Sequence, residues 1–284
     1  MSLQNKTILV TGGSGFIGKN IAEYFSKRAT VLVPPHKSLD LQSQTDIHQF
    51  FEDHDIDYVI HCANIGGVRG VTDPPNVVEH NIRMFFNLAE NGRYFERLVH
   101  FGSGAEYDKR QALVNVNEYE FGKSIPVDSY GFSKYVISKY IEKSGNNVCL
   151  RLFGIFGKYE RDTRFITYAI RQNLQELPII INQNVKFDYL YVNDLMRIIP
   201  FFFTDDYKYK VYNITTGISR DLVSIANLIN TVSDYKSEIK VARKGLGNEY
   251  SGNNARLLEL TNGFEFTQIK TAISELMEYY RRTF

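Results

Sequence analysis

The chain has 284 residues, of which 43% are hydrophobic and 23% charged, and its formal net charge is +1. That length holds one large domain, or one domain with a smaller lobe, and a substantial core. The near-neutral balance argues against nucleic-acid binding, and the longest apolar stretch, Ile198–Phe203, is too short to span a membrane.

The start, Met1 to Lys6, is polar and leads straight into a strand, so it does not read as a signal peptide. Thr7–Thr11 reads as a short buried strand, and Phe16–Arg28 has helical periodicity with Ile17, Ile21, Tyr24 and Phe25 on one face. Thr30–Val33 is a second strand, closed by Pro34 and Pro35. Thr45–His54 reads as a helix, Asp57–Cys62 as a third strand, Asn76–Asn91 as a helix and Arg97–Phe101 as a fourth strand. Asp128–Ser144 follows as a helix and Asn147–Phe153 as a fifth strand. This alternation predicts an α/β fold, a Rossmann-type doubly wound parallel sheet with helices on both faces. Residues 1–158 form that expected domain. Beyond 158 the alternation breaks down, and helices are expected at Arg164–Asn173, Leu222–Ser233 and Ile273–Arg282. Residues 159–284 read mainly as a smaller C-terminal substrate-binding lobe, with about 186–215 partly returning to the sheet. Cys62 and Cys149 lie in apolar runs and read as buried thiols in a reducing cytoplasm. No Cys or His spacing suits a metal.

The first strand runs directly into Gly12-Gly13-Ser14-Gly15-Phe16-Ile17-Gly18, which opens a helix. Glycines let the backbone turn sharply and approach a pyrophosphate, while the helix N-terminus supplies N–H groups and a positive dipole. The spacing Gly12, Gly15, Gly18 resembles the signature of the extended short-chain dehydrogenases/reductases, the NAD-dependent epimerase/dehydratase family. Val59–Asn64, Asn81, Phe101–Tyr107, Tyr130–Lys134, Leu150–Phe153, Tyr189–Asp194 and Val211–Ile214 match that family's blocks in order. The resemblance implies an NAD(P)-dependent oxidoreductase or epimerase acting on a nucleotide sugar. It implies cofactor contacts from Gly12, Ser14, Gly15, Phe16, Ile17, Gly18, Asp40, Leu41, Cys62, Ala63, Asn64, Asn81, Phe101 and Phe153.

The second strand ends Val33-Pro34-Pro35-His36-Lys37, with no carboxylate before Asp40. An acidic residue there would bind a ribose 2′-hydroxyl and favour NAD. His36 and Lys37 instead suit a 2′-phosphate, so NADP(H) is favoured and NAD(H) is the alternative.

Tyr130 and Lys134 are four apart on one predicted helix and share a face. A tyrosine's ordinary pKa is about 10, and a nearby ammonium lowers it. The phenol can then exchange a proton with a substrate oxygen while a nicotinamide, as the resemblance implies, exchanges a hydride. Ser103 ends the fourth strand, and with it the pair matches the family's catalytic Ser-Tyr-Lys set.

The family's 4,6-dehydratases place Asp and Glu just after the catalytic hydroxyl residue, where this chain has Gly104 and Ala105. Glu106 is one residue late, and on an extended segment that shift points it to the opposite side. Dehydration and sugar-acid decarboxylation are therefore disfavoured. Leu39–Leu41, Ala63–Gly67 and Val68–Asn81 most resemble the GDP-fucose synthase group of 4-keto-sugar reductases. That group's epimerising Cys position is Ala105, and Gly157–Phe165 has no His, so the resemblance implies reduction alone. Phe187 stands where the group has a nucleotide-contacting Arg. Gly104, Arg164, Lys186 and Arg256 are candidate substrate contacts beside Ser103; Arg161 and Arg171, like Arg164, could pair a diphosphate, and Asn182 and Lys186 are weaker candidates.

The expected activity is NAD(P)H-dependent reduction of a nucleotide-activated 4-keto-(deoxy)sugar for polysaccharide synthesis, with Tyr130 as general acid. The alternatives are a 4-epimerase with tightly bound NAD and a non-catalytic cofactor-sensing protein. A homodimer through the Asn76–Asn91 and Asp128–Ser144 helices is expected from the resemblance.

Overall fold

Strand β1 (Thr7–Thr11) crosses through helix α1 (Phe16–Phe25) to β2 (Thr30–Leu32), in the computed structural model of the chain. Residues 3–68, 70–204 and 206–283 are described; Met1 of the polar start and Arg69 of the Val68–Asn81 segment lie outside them. Helix α2 (Gln44–Asp53), strand β3 (Tyr58–His61), helix α3 (Val77–Ala89) and strand β4 (Arg97–Ser103) continue the alternation. A short strand, β5 (Leu113–Val116), interrupts it before helix α4 (Ser129–Ile141) and strands β6 (Asn147–Leu152) and β7 (Gly154–Phe156). Then come α5 (Phe165–Leu174), β8 (Ile179–Asn184), β9 (Lys186–Tyr191), α6 (Val192–Ile198) and β10 (Val211–Ile214). The chain ends with β11 (Ser219–Asp221), α7 (Leu222–Val232), β12 (Ile239–Leu246), β13 (Tyr250–Gly252), α8 (Ala255–Thr261) and α9 (Ile269–Thr283).

The main sheet is parallel, in the order β2-β1-β3-β4-β6-β10. Its central strands are apolar on both sides, and side chains alternate between two cores. Ile8, Val10, Tyr58, Ile60, Val99 and Val148 enter the core that α1 and α6 cover. Leu9, Val59, Leu98 and Cys149 enter the core shared with Phe51, Phe85, Leu88 and Ile137 of α2, α3 and α4. A period of two with both faces buried is what a doubly wound sheet requires. The strand order reverses between β1 and β3, which opens a crevice at their C-terminal ends.

After β6 the chain leaves this sheet at Phe153 and enters a second one, in the order β11-β9-β13-β5 with β7 also pairing β9. Strands β8 and β12 form a separate parallel pair. Within the segment expected to return, Val211–Ile214 pairs with β6, whereas Lys186–Tyr191 belongs to the second sheet. Leu113–Val116 crosses the other way, from the first 158 residues into the second sheet. Sequence alternation alone does not reveal such short strands, because each pairs with segments far away along the chain. Among the described residues no helix is long and apolar enough to cross a membrane.

A buried ion pair joins β6 to the turn that follows β4. Arg151 on β6 donates from Nε to Glu106 at 2.5 Å and from Nη1 to the Tyr107 hydroxyl at 3.0 Å, with both charged side chains fully buried. Burial opposes the Arg151 charge, but the carboxylate of Glu106 holds the guanidinium above its usual range. The guanidinium also lies over the Phe121 ring, 3.8 Å from its centroid. Removing one partner leaves an uncompensated buried charge. Glu106→Ala is expected to cost about 3–5 kcal/mol of unfolding free energy, read from denaturant midpoints.

Candidate functional site

The crevice where β1 and β3 diverge is lined first by the glycine turn. Gly12 has φ +68°, and a Cβ there would sit 2.6 Å from the Ala63 backbone nitrogen. The turn and the loop after β3 therefore touch backbone to backbone. Gly15 caps α1 without any side-chain hydrogen bond, and the first turn has no acidic residue. By contrast, Ser43, Asp128 and Asp221 cap α2, α4 and α7 through their side chains. Ser14 and Gly15 are exposed, while Phe16 and Ile17 pack partly into the core. An uncapped helix N-terminus in a crevice fits the pyrophosphate of a dinucleotide.

His36 and Lys37 form an exposed turn beyond β2. His36 Nδ1 is 3.7 Å from Asp40 Oδ1, and that oxygen accepts the Gln42 amide at 2.9 Å. Leu41 is buried in the core beneath. The rim thus offers two basic side chains and one partly engaged carboxylate.

The loop after β3 is tied down at several points. Cys62 is half-buried and Asn64 is exposed, its side-chain amide donating to the Gly66 carbonyl at 3.2 Å. Asn81 on α3 accepts the Ile65 N–H at 2.9 Å and donates to the Ile65 carbonyl at 2.9 Å and to Ser133 at 3.1 Å. Both its N–H donors are engaged, so this expected cofactor contact acts on the loop and on α4. Asp73 makes a similar bridge. Its Oδ1 accepts the Gly67 N–H at 2.8 Å and its Oδ2 accepts the Tyr130 N–H at 3.1 Å. Gly67 lies flat against the Tyr130 ring, where a Cβ would come within 2.8 Å of ring carbons.

Ser103, Tyr130 and Lys134 meet at the end of β4. Asp128 caps α4 by accepting the Gly131 N–H at 2.9 Å, which fixes Tyr130 in the first turn. Lys134 is buried, donates to the Phe101 carbonyl at 2.7 Å and lies 5.9 Å from the centre of the Tyr130 ring. Burial lowers its pKa to about 8. Burial also pushes the Tyr130 phenol up to about 12, against the pull of a hydrogen bond with Ser103. The phenol, expected from Lys134 to lie below its ordinary range, lies above it instead. A neutral phenol beside a serine hydroxyl can donate a proton at ordinary pH.

Glu106 departs from expectation in its geometry. Gly104–Tyr107 is a turn of 3₁₀-helix rather than an extended segment. Ser103 caps it by accepting the Ala105 N–H at 3.1 Å, while Glu106 accepts the Ser103 N–H at 2.8 Å. Glu106 therefore faces inward to Arg151.

Other expected contacts lie at varied distances. Phe153 packs against Gly104 and the Tyr250 ring, whose centroids are 5.2 Å apart in the latter pair. Arg164 caps α5, pairs with Glu160 at 3.2 Å and is near enough for its charge to lower the pKa of Tyr130 and Tyr250. Burial pushes the Glu160 carboxyl up to about 7. Arg171 is paired with Asp162 at 2.6 Å. Lys186 is exposed at the start of β9, and its neighbour Phe187 approaches Tyr250. Alternation along the strand puts the two side chains on opposite faces, so Lys186 stands apart from the cluster. Arg256 donates to the Val211 carbonyl at 3.1 Å, lies 3.8 Å from Glu118 and stacks over Tyr209. Those contacts turn it toward the packing of α8 on β10 rather than toward the crevice. Sequence reasoning missed Asp73, Glu160 and Tyr250.

The fold and site define a doubly wound α/β protein with an open glycine turn at its switch point and a Ser–Tyr–Lys cluster beside it. A family model described as "NAD dependent epimerase/dehydratase family" matches residues 8–215. The chain belongs to that family, as an NAD(P)-dependent enzyme of the extended short-chain dehydrogenase/reductase type. GDP-L-colitose synthase of Yersinia pseudotuberculosis is 25% identical over 268 residues, covering 84% of this chain and 82% of that one. The dTDP-4-dehydro-6-deoxyglucose reductase of Escherichia coli is 24% identical over 287 residues, covering 87% and 85%. The structure of RMD from Pseudomonas aeruginosa complexed with NADPH superposes with a TM-score of 0.85 at 21% identity, covering 100% of both chains.

The Asp73 bridge is directly testable. Asp73→Ala is expected to raise hydrogen exchange at the Gly67 and Tyr130 amides about tenfold, with the amides of β1, β3 and β4 unchanged.

Proposed function

We propose that the protein reduces a nucleotide-activated 4-keto-(deoxy)sugar with NADPH, with Tyr130 as the general acid. The observation that carries this reading is the convergence at the crevice of Ser103 at the end of β4, Tyr130 fixed in the first turn of α4 and Lys134 near its ring.

The residues divide the work. The uncapped start of α1 holds the pyrophosphate, and His36 and Lys37 receive the 2′-phosphate. Lys134, anchored to Phe101, holds the nicotinamide ribose. A bound nicotinamide supplies the hydride. Ser103 holds the substrate oxygen by its hydroxyl, and Tyr130 delivers the proton from its Oη. Arg164, steadied by Glu160, faces the sugar nucleotide's negative charge. Gly104 and Ala105 carry no acid, which supports reduction without elimination of water. The Yersinia pseudotuberculosis GDP-L-colitose synthase supports a sugar nucleotide, the Escherichia coli reductase supports a 4-keto-6-deoxysugar, and the NADPH bound to the Pseudomonas aeruginosa protein supports the cofactor. Both Tyr130 and Lys134 are present, which disfavours a purely cofactor-sensing role. Helices α3 and α4 pack together and expose Phe132 and Tyr140, and a cytoplasmic homodimer through this pair accompanies the proposal.

Two measurements test the reading. The protein is offered GDP-, dTDP- and UDP-linked 4-keto-6-deoxysugars with NADPH, and absorbance at the nicotinamide band is followed. Consumption with one sugar is expected, and Tyr130→Phe is expected to lower turnover by about 10²–10⁴-fold while NADPH still binds. Full activity in that variant overturns the mechanism. The double change His36→Ala with Lys37→Ala is expected to weaken NADPH by about tenfold or more and NADH little. Equal losses overturn the NADP assignment.

A further inference from the structure

The first turn of α4 is held by two carboxylates from different parts of the chain. Asp128 accepts the Gly131 N–H at 2.9 Å, and Asp73 Oδ2 accepts the Tyr130 N–H at 3.1 Å across 57 positions. The first N–H groups of a helix have no partner within it, and negative groups are favoured beside them. The other oxygen of Asp73 accepts the Gly67 N–H at 2.8 Å. One side chain therefore holds the start of α4 and the loop after β3 at once.

The loop is shaped to meet that carboxylate. Gly66 and Gly67 have φ +80° and +74°, the left-handed region that glycine enters freely. A Cβ on Gly66 would lie 2.7 Å from Asp73 Oδ1, and one on Gly67 would lie 2.8 Å from the Tyr130 ring. The turn is thus pressed between the carboxylate and the ring, and a side chain on either glycine would push into one of them. Asp73 is itself presented by stiff backbone, because Pro74 and Pro75 follow it and Asn76 then caps α3. A residue before proline is kept extended, and each proline fixes its own φ. Asn81 holds the loop separately, at Ile65.

We propose that Asp73 is a positioning residue for Tyr130: its carboxylate clamps the Gly66–Gly67 turn onto the ring while holding the first turn of α4, and so fixes the direction in which the phenol meets a substrate oxygen. The role rests on the reductase reading for the proton transfer and on the two hydrogen bonds alone for the clamp. Without the carboxylate, the turn is held only at Ile65, and the Tyr130 ring loses the surface that stops it swinging about its Cα–Cβ bond. A misdirected phenol is a poorer proton donor in the bound complex, whereas the start of α1 keeps its hold on the cofactor. The loss therefore falls on kcat. No proton passes through Asp73.

The test begins on the substrate-free protein. A Gly67 Hα proton points at the face of the Tyr130 ring, so its NMR signal is expected upfield of the usual glycine range, and Tyr130→Leu is expected to remove that shift. Asp73→Ala is expected to remove it as well. Asp73→Asn, which has one carbonyl oxygen left to accept an N–H, is expected to keep it in part. With the sugar found in the panel, Asp73→Ala is expected to lower kcat about tenfold and to change the Kd for NADPH less than about twofold, with Asp73→Asn between it and the wild type. In a Tyr130→Phe background the same change is expected to add less than about twofold, because the hydroxyl that Asp73 positions is gone. A Gly67 signal unmoved in Asp73→Ala overturns the proposal, as do an unchanged kcat or equal losses in the two backgrounds. If Asp73→Ala does not fold, Asp73→Asn carries the same comparisons. If the wild-type protein reduces no sugar, the reductase reading falls, and the Gly67 signal decides the clamp by itself.

Discussion

The buried contact between Arg151 and Glu106 is the constraint on which the site depends. One oxygen of Glu106 accepts from Arg151 on β6 and the other from the Ser103 backbone. A carboxylate held at both oxygens has one orientation, and so has the 3₁₀ turn that carries it. Ser103 ends its strand in that turn, so the direction of its hydroxyl follows from a charge pair fully removed from water. Burying two charges is costly and is offset only when their remaining hydrogen bonds are met. Tyr107 and the face of Phe121 supply part of that environment.

The same economy of parts governs the crevice. The glycine turn meets Ala63 backbone to backbone, Asn81 pins the following residues to α3 and α4, and Asp73 joins Gly67 to the start of α4. Glycine turn, loop and Tyr130 are thus connected through one backbone contact and the side chains of Asn81 and Asp73. Such bridges leave little freedom for one part to shift without the others.

The large sheet was legible in the sequence because its signal is local. Apolar strands such as Val59–Cys62 and helices such as Asn76–Asn91 are bounded by turn residues, and the glycine turn sits between a strand and a helix. The Ser103, Tyr130 and Lys134 cluster was legible through its spacing, and the structure brings the three together. The second sheet was not, because β5, β7, β11 and β13 have three or four residues each and pair across long stretches of chain. Nothing in the three residues Tyr250–Gly252 announces a strand. The turn at Glu106 was misread for a related reason: Gly104 and Ala105 are compatible with extended backbone, and only the carboxylate's pull toward the Ser103 N–H and Arg151 selects the 3₁₀ form.

Charge and burial compete at the phenol, and burial wins. The ammonium of Lys134 is directed to the Phe101 carbonyl beneath the Tyr130 ring and is itself weakened by burial, to a pKa of about 8. The Gly67 backbone covers one face of the ring, and desolvation penalises the anion more than the neutral form. The cluster is therefore biased at rest toward giving a proton. Ser103, beside Tyr130 at the end of β4, is held from below through its backbone N–H by Glu106.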